Sequence, residues 1–184
     1  AIEISLESLD ETLADQPLTR AEVLDAIGGV FRDTGDFARA DSLYARARLA
    51  LREAGAAGAD TLALASRLAS SQGSSLWFQN RLDEVEPYFR HALAIERRRG
   101  DAEAVAATMS DLALALKETG RDAEALQMLE ASLAQYERLG EEAEPSRLIV
   151  TYNLASALID ARQLDRARTL YDRALADLRR SYGP

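Results

Sequence analysis

The chain has 184 residues, enough for a substantial buried core without disulfide or metal staples, and its 47% hydrophobic and 29% charged residues describe a folded rather than a disordered protein. With 22 Lys and Arg against 31 Asp and Glu the net charge is −9, so the average surface repels phosphate backbones and anionic lipids, and nucleic acid and membrane insertion are set aside as partners. The absence of cysteine and the single histidine exclude disulfide frameworks, thiolate zinc sites and a cysteine nucleophile.

In chain order, Ile2, Leu6, Leu9 and Leu13 share one helical face, and the run stops before Pro17, which biases its neighbour out of the helical region. Residues 1–16 are predicted as an N-terminal capping helix. The start Ala1-Ile2-Glu3 has no Met, as expected of a piece of a longer chain, upstream of which a targeting segment could lie. Later helices are predicted to begin near Pro17, Asp36, Gly58 to Asp60, Arg81, Asp101, Arg121, Pro145 and Gln163. Breaks are predicted at Gly35, Gly55 to Gly58, Gly100, Gly120 and Gly140, giving nine helices and no strand.

Four stretches share one internal pattern. A first helix carries a small residue after a large or polar one, then a large apolar residue three further on: Ile27-Gly28 with Phe31, Gln72-Gly73 with Leu76, Leu112-Ala113 with Leu116, and Leu154-Ala155 with Leu158. A second helix carries Ala40, Tyr44, Ala47; Val85, Phe89, Ala92; Ala125, Leu129, Ser132; and Ala167, Tyr171, Ala174, with steps of 45, 40 and 42 residues between equivalents. Small residues let two antiparallel helices approach closely while the bulky residue fills the seam, so each unit is a helical hairpin. Ala125 and Ala167 are expected in that seam, and Ala102 on the surface.

These residues resemble the tetratricopeptide repeat, in its longer form of about 42 residues seen in kinesin light chains and many bacterial regulators. The resemblance covers residues 18 to 182 and departs from the pattern at Gln72, Asp122 and Ser132. It implies an all-α, right-handed α-superhelix of four hairpins behind one N-terminal helix, in one domain divided as 1–16, 17–57, 58–100, 101–140 and 141–184. A weaker likeness, carried by Leu13 to Pro17 and Leu24 to Phe37, is similar to arrays fused to large bacterial serine/threonine kinases. It implies a non-catalytic part of a larger sensor or scaffold, and such arrays can lie beyond a membrane helix; otherwise a cytoplasmic location is expected.

Few residues point to chemistry. His91 stands between the packing positions Phe89 and Ala92 without a second ligand at helical spacing, and is expected outward on the surface. Gly28-Gly29 is followed by Val30, Phe31 and Arg32, so it is no phosphate loop. Arg97 to Arg99 and Arg179-Arg180 end helices, and Glu141, Glu142 and Glu144 start one, as the helix dipole favours. No catalytic residue, cofactor or metal is expected.

In the family, the concave groove is formed by first-helix positions two before, one after and four after the small residue. These positions hold Ala26, Gly29 and Arg32; Ser71, Ser74 and Trp77; Asp111, Leu114 and Lys117; and Asn153, Ser156 and Ile159. One residue further back stand Asp25, Ser70, Ser110 and Tyr152, also expected at the groove. Gly29 has no packing reason to be glycine and could leave room for a ligand backbone. Trp77 is either a ligand anchor or, with Phe78, filling between the first and third units. The expected partner is a protein or peptide segment. The alternative is self-association: the closing helix, with Leu170, Tyr171, Ala174, Leu175, Leu178 and Tyr182, has no solvating helix after it, as expected if the parent chain continues with another repeat, and the isolated chain is expected to cover this face by pairing with a second copy.

Overall fold

The protein is described by a computed structural model covering residues 8–55, 58–140 and 143–183, with the side chains of 181 and 182 outside the description. Ile2, Leu6, Glu141 and Glu142 therefore lie outside the described residues, as does the side chain of Tyr182. Among the described residues every regular element is helical: α1 (8–12), α2 (Pro17–Asp33), α3 (Phe37–Glu53), α4 (Ala59–Phe78), a 3-10 turn (Leu82–Glu84), α5 (Glu86–Arg99), α6 (Ala102–Glu118), α7 (Asp122–Leu139), α8 (Glu144–Asp160) and α9 (Leu164–Tyr182).

The helix starts follow from local chemistry. The carboxylates of Asp36 and Asp101 accept from the N–H groups of Arg39 and Ala104, satisfying donors that open α3 and α6. Pro17 and Pro145 sit in the first turns of α2 and α8, where a missing N–H costs nothing. The second helix of hairpin two starts later than Arg81: a 3-10 turn comes first, and α5 begins at Glu86.

All four turns inside the hairpins close in the same way. The N–H groups of Asp36, Arg81, Arg121 and Gln163 donate to the carbonyls of Phe31, Leu76, Leu116 and Leu158 at 2.8, 3.0, 2.8 and 2.8 Å. The preceding residue takes the left-handed conformation each time, as Gly35, Asn80, Gly120 and Arg162. One backbone device thus recurs four times, twice on glycine, once on asparagine, which enters this region more readily than most residues, and once on arginine, which bears the strain.

The chain divides into two compact units, residues 1–99 and 100–184. In the first, α2 packs on α3 and α4 on α5, with α4 also against α2 and α3; Leu9 of α1 packs on this core. In the second, α6 packs on α7 and α8 on α9, with α8 also against α6 and α7.

The small and large residues of the first two hairpins meet in these seams, whereas in the fourth Tyr171 is 38% exposed and Ala174 half-buried, which corrects their expected place there. A Cβ on Gly28 would lie 2.7 Å from Tyr44 Cε1, and one on Gly73 would lie 3.1 Å from Phe89 Cε1. Ala40, Ala47, Ala92, Ala113, Ala125 and Ala155 are fully buried, and Ala167 nearly so. Ser132, a departure from the pattern, is also fully buried, and its hydroxyl donates to the Ala106 carbonyl of α6 at 2.6 Å. Asp122 is simply the first residue of α7, where a carboxylate suits the helix dipole. Ala102 corrects the reading above: it opens α6 half-buried rather than on the surface. His91 is exposed, as its position between two packing residues requires.

Candidate functional site

The first helices of successive hairpins lie side by side within each unit, and the candidate residues fall on them at two depths. In the first unit, Asp25 of α2 is 6% exposed, and its Oδ2 accepts from Arg67 Nε of α4 at 2.6 Å. Its Oδ1 is buried without a hydrogen-bond partner. In the second unit, Ser110 of α6 is 5% exposed, and its Oγ accepts from Asn153 Nδ2 of α8 at 3.4 Å. Asp25 and Ser110 therefore stand in the seam between neighbouring first helices rather than on an open groove wall. Their position, three before the small residue, faces the next hairpin.

Lys117 Nζ meets Asp160 Oδ2 at 2.6 Å, again joining α6 to α8. Arg67 and Asp160 were not among the sequence candidates. The signal that could have found them is an opposite charge within about one turn of the equivalent position on the next first helix: Arg67 stands three before Ser70, and Asp160 one after Ile159.

The shallower positions remain open to solvent in part. Arg32, Ser70, Ser71, Ser74 and Trp77 of the first unit and Lys117, Asn153 and Ser156 of the second are half-buried, and Tyr152 is 63% exposed. Gly29 has nothing within 4 Å of where its Cβ would be, unlike Gly28 beside it. The Arg32 guanidinium is held by Asp33, with Nε to Oδ1 at 2.9 Å. Below this face lies Tyr44, fully buried, with no hydrogen-bond partner for its hydroxyl. Burial pushes the Tyr44 phenol up; Arg32 pulls it down, Asp25 and Asp33 raise it, and the nearby Ser71 hydroxyl lowers it while standing outside hydrogen-bonding geometry.

Phe78 is 61% exposed and stacks on Phe37 of the first hairpin, with ring centroids 6.5 Å apart. The expectation that it fills space between the first and third units is thereby corrected. Consecutive residues point to different sides of a helix, which leaves Trp77 on another face of α4. No group of three or more metal-ligating side chains occurs among the described residues, and no helix there is long and apolar enough to cross a membrane.

No curated protein matches this sequence. Among solved structures, BtubC (BKLC) from P. vanneervenii is similar at 24% identity and TM-score 0.79, with 95% of this chain and 69% of that chain aligned. A putative kinesin light chain of Podosopora anserina with nearly identical TPR-like repeats follows at 20% identity and TM-score 0.74, over 90% of this chain and 77% of that one. A Rap protein complexed with Competence and Sporulation Factor aligns at 15% identity and TM-score 0.76, over 92% of this chain but only 46% of its own. At these identities the likeness is one of fold. Profiles described as tetratricopeptide repeat match residues 64–138 and 150–184, together more than half of the sequence. With the four equivalent hairpin turns and the small-to-large seams, these matches make the chain a member of the tetratricopeptide repeat family.

Proposed function

We propose that the chain is a non-catalytic binding module whose first-helix face in residues 1–99 holds an extended protein or peptide segment, within a larger regulatory protein. Repeat hairpins of this family are interaction scaffolds, which is the general role the comparisons support. The observation that carries the finer reading is Gly29. A glycine inside a helix costs about 1 kcal/mol relative to alanine. Gly28 offsets that cost by admitting Tyr44, whereas Gly29 admits nothing of the chain itself. It leaves the α2 backbone bare beside the half-buried Arg32, and the half-buried Ser74 and Trp77 on α4 complete the surface. Such a surface suits a ligand main chain, with Trp77 as apolar anchor. The neighbour solved with Competence and Sporulation Factor offers a parallel for ligand capture on this fold. Fusion to a kinase and a cytoplasmic setting belong to this reading as expectations about the parent chain, which its sequence would decide.

The test is selection from a random peptide library on the purified chain, followed by titration against Gly29→Leu and Trp77→Ala. Both variants should weaken binding at least about tenfold while retaining helicity, and Trp77 fluorescence should shift on binding. Selected peptides that bind both variants like the parent would overturn the proposal.

A further inference from the structure

Beyond the groove, the outer face of α9 carries a second surface. Leu164, Arg168, Tyr171, Leu175 and Leu178 follow one another at steps of four, three, four and three, the spacing of a helix-pairing seam. Leu164 is 58%, Tyr171 38% and Leu175 46% exposed. The equivalent face of α7 is covered: Leu129, Leu133 and Tyr136 are 0%, 8% and 3% exposed, with α8 packed against that helix. The same pattern that buries one helix stripe is thus open at Leu164, Tyr171 and Leu175 on the other, with Leu178 half-buried.

We propose that a second copy of this chain covers it, through antiparallel pairing of α9 with α9 about a two-fold axis. Charge selects this occupant. Asp165, exposed at the start of α9, and Arg179, exposed in its last turn, both flank the seam on the same side, two heptads apart. Antiparallel pairing brings Asp165 of each copy to Arg179 of the other, so a single helix supplies both signs twice. In the same register Tyr171 of each copy lies against Leu175 of the other. Asp172, which meets its own equivalent near the axis, already has Arg168 at 3.8 Å to offset the like charge. The Arg168 stem covers apolar surface at one seam position while its charged end reaches the edge.

Sedimentation equilibrium of the purified chain from micromolar to millimolar concentration tests this pairing. A reversible monomer–dimer equilibrium is expected, weakened at least about tenfold by Tyr171→Glu or Leu175→Glu. Asp165→Arg should also weaken it, and adding Arg179→Asp to that variant should restore it, each with unchanged helicity by circular dichroism. Should the glutamate variants unfold, the charge reversal and its restoration decide alone. A chain that stays monomeric throughout, as it would if α9 receives a further hairpin of a longer parent chain or a helix from another protein, overturns the proposal. So does a dimer that responds to neither the glutamates nor the charge reversal.

Discussion

Gly28 and Tyr44 occupy one volume: a methyl group on the glycine would lie 2.7 Å from Cε1 and 3.0 Å from Cδ1 of a tyrosine that has no exposed surface into which to move. The glycine is therefore set by its partner in the second helix, and the hairpin seam is a contact between backbone and ring. Gly28→Ala should cost about 1 to 3 kcal/mol by overpacking. Gly29→Ala, one residue along the same helix with nothing within 4 Å, should instead stabilise by about 0.5 to 1 kcal/mol through helix propensity. Urea denaturation of the pair measures both, and a loss at Gly29 equal to that at Gly28 would contradict the packing assignment.

That contrast marks what the sequence makes legible. The hairpins are readable because the seam needs small and large residues at fixed offsets, so Gly28 with Tyr44 and Gly73 with Phe89 are visible as a pattern before any coordinates. The turns at Asn80 and Arg162 are less so, since only the backbone reveals that these residues take the conformation glycine takes at Gly35 and Gly120. The site is legible by face and not by depth. Counting along α2 and α6 puts Asp25 and Ser110 on the side facing the next hairpin, but whether that side is open depends on how closely the neighbouring helix approaches. Arg67 escapes the count because a long side chain reaches Asp25 from a different turn of α4.

The buried alanines of the second unit give a second prediction. Ala125 has no exposed surface, whereas Ala131, on the same helix, is exposed. Ala125→Leu should destabilise by about 1 to 3 kcal/mol or more, and Ala131→Leu should change stability by less than about 0.5 kcal/mol. Thermal melts that rank the two alike would show that the register of the third hairpin is misassigned.

Asp25 and Arg67 form a lopsided pair: the carboxylate is 6% exposed and the guanidinium side chain 55% exposed. Removing the arginine strands a buried anion that has one oxygen unpaired already. Arg67→Ala should accordingly cost about 1 to 3 kcal/mol. Adding Asp25→Asn should recover part of that loss, because a neutral amide is cheaper to leave buried than a carboxylate. A double-mutant cycle in urea checks this, and simple additivity of the two losses would mean that the pair contributes nothing as a pair.

Alkaline pH should expose the buried phenols. Tyr44 is fully buried and Tyr136 is 3% exposed, and in both burial is the leading cause that raises the phenol above its usual value of about 10. Secondary influences on Tyr136 are Ser146, whose hydroxyl lowers it, and Glu103 and Asp111, which raise it. Below about pH 10 both rings are neutral in the folded and unfolded chain, so they leave stability independent of pH. Above it the unfolded chain loses these protons first, and stability falls as pH climbs through the native values. Urea melts between about pH 8 and about pH 11 should show that decline, and Tyr44→Phe should make it shallower. The same substitution should be neutral or slightly stabilising near neutrality, because it deletes a buried hydroxyl that has no partner. Tyrosinate absorbance should lag for two rings until the fold opens; ionisation of all six tyrosines together in a chain that stays helical would refute the burial of Tyr44 and Tyr136.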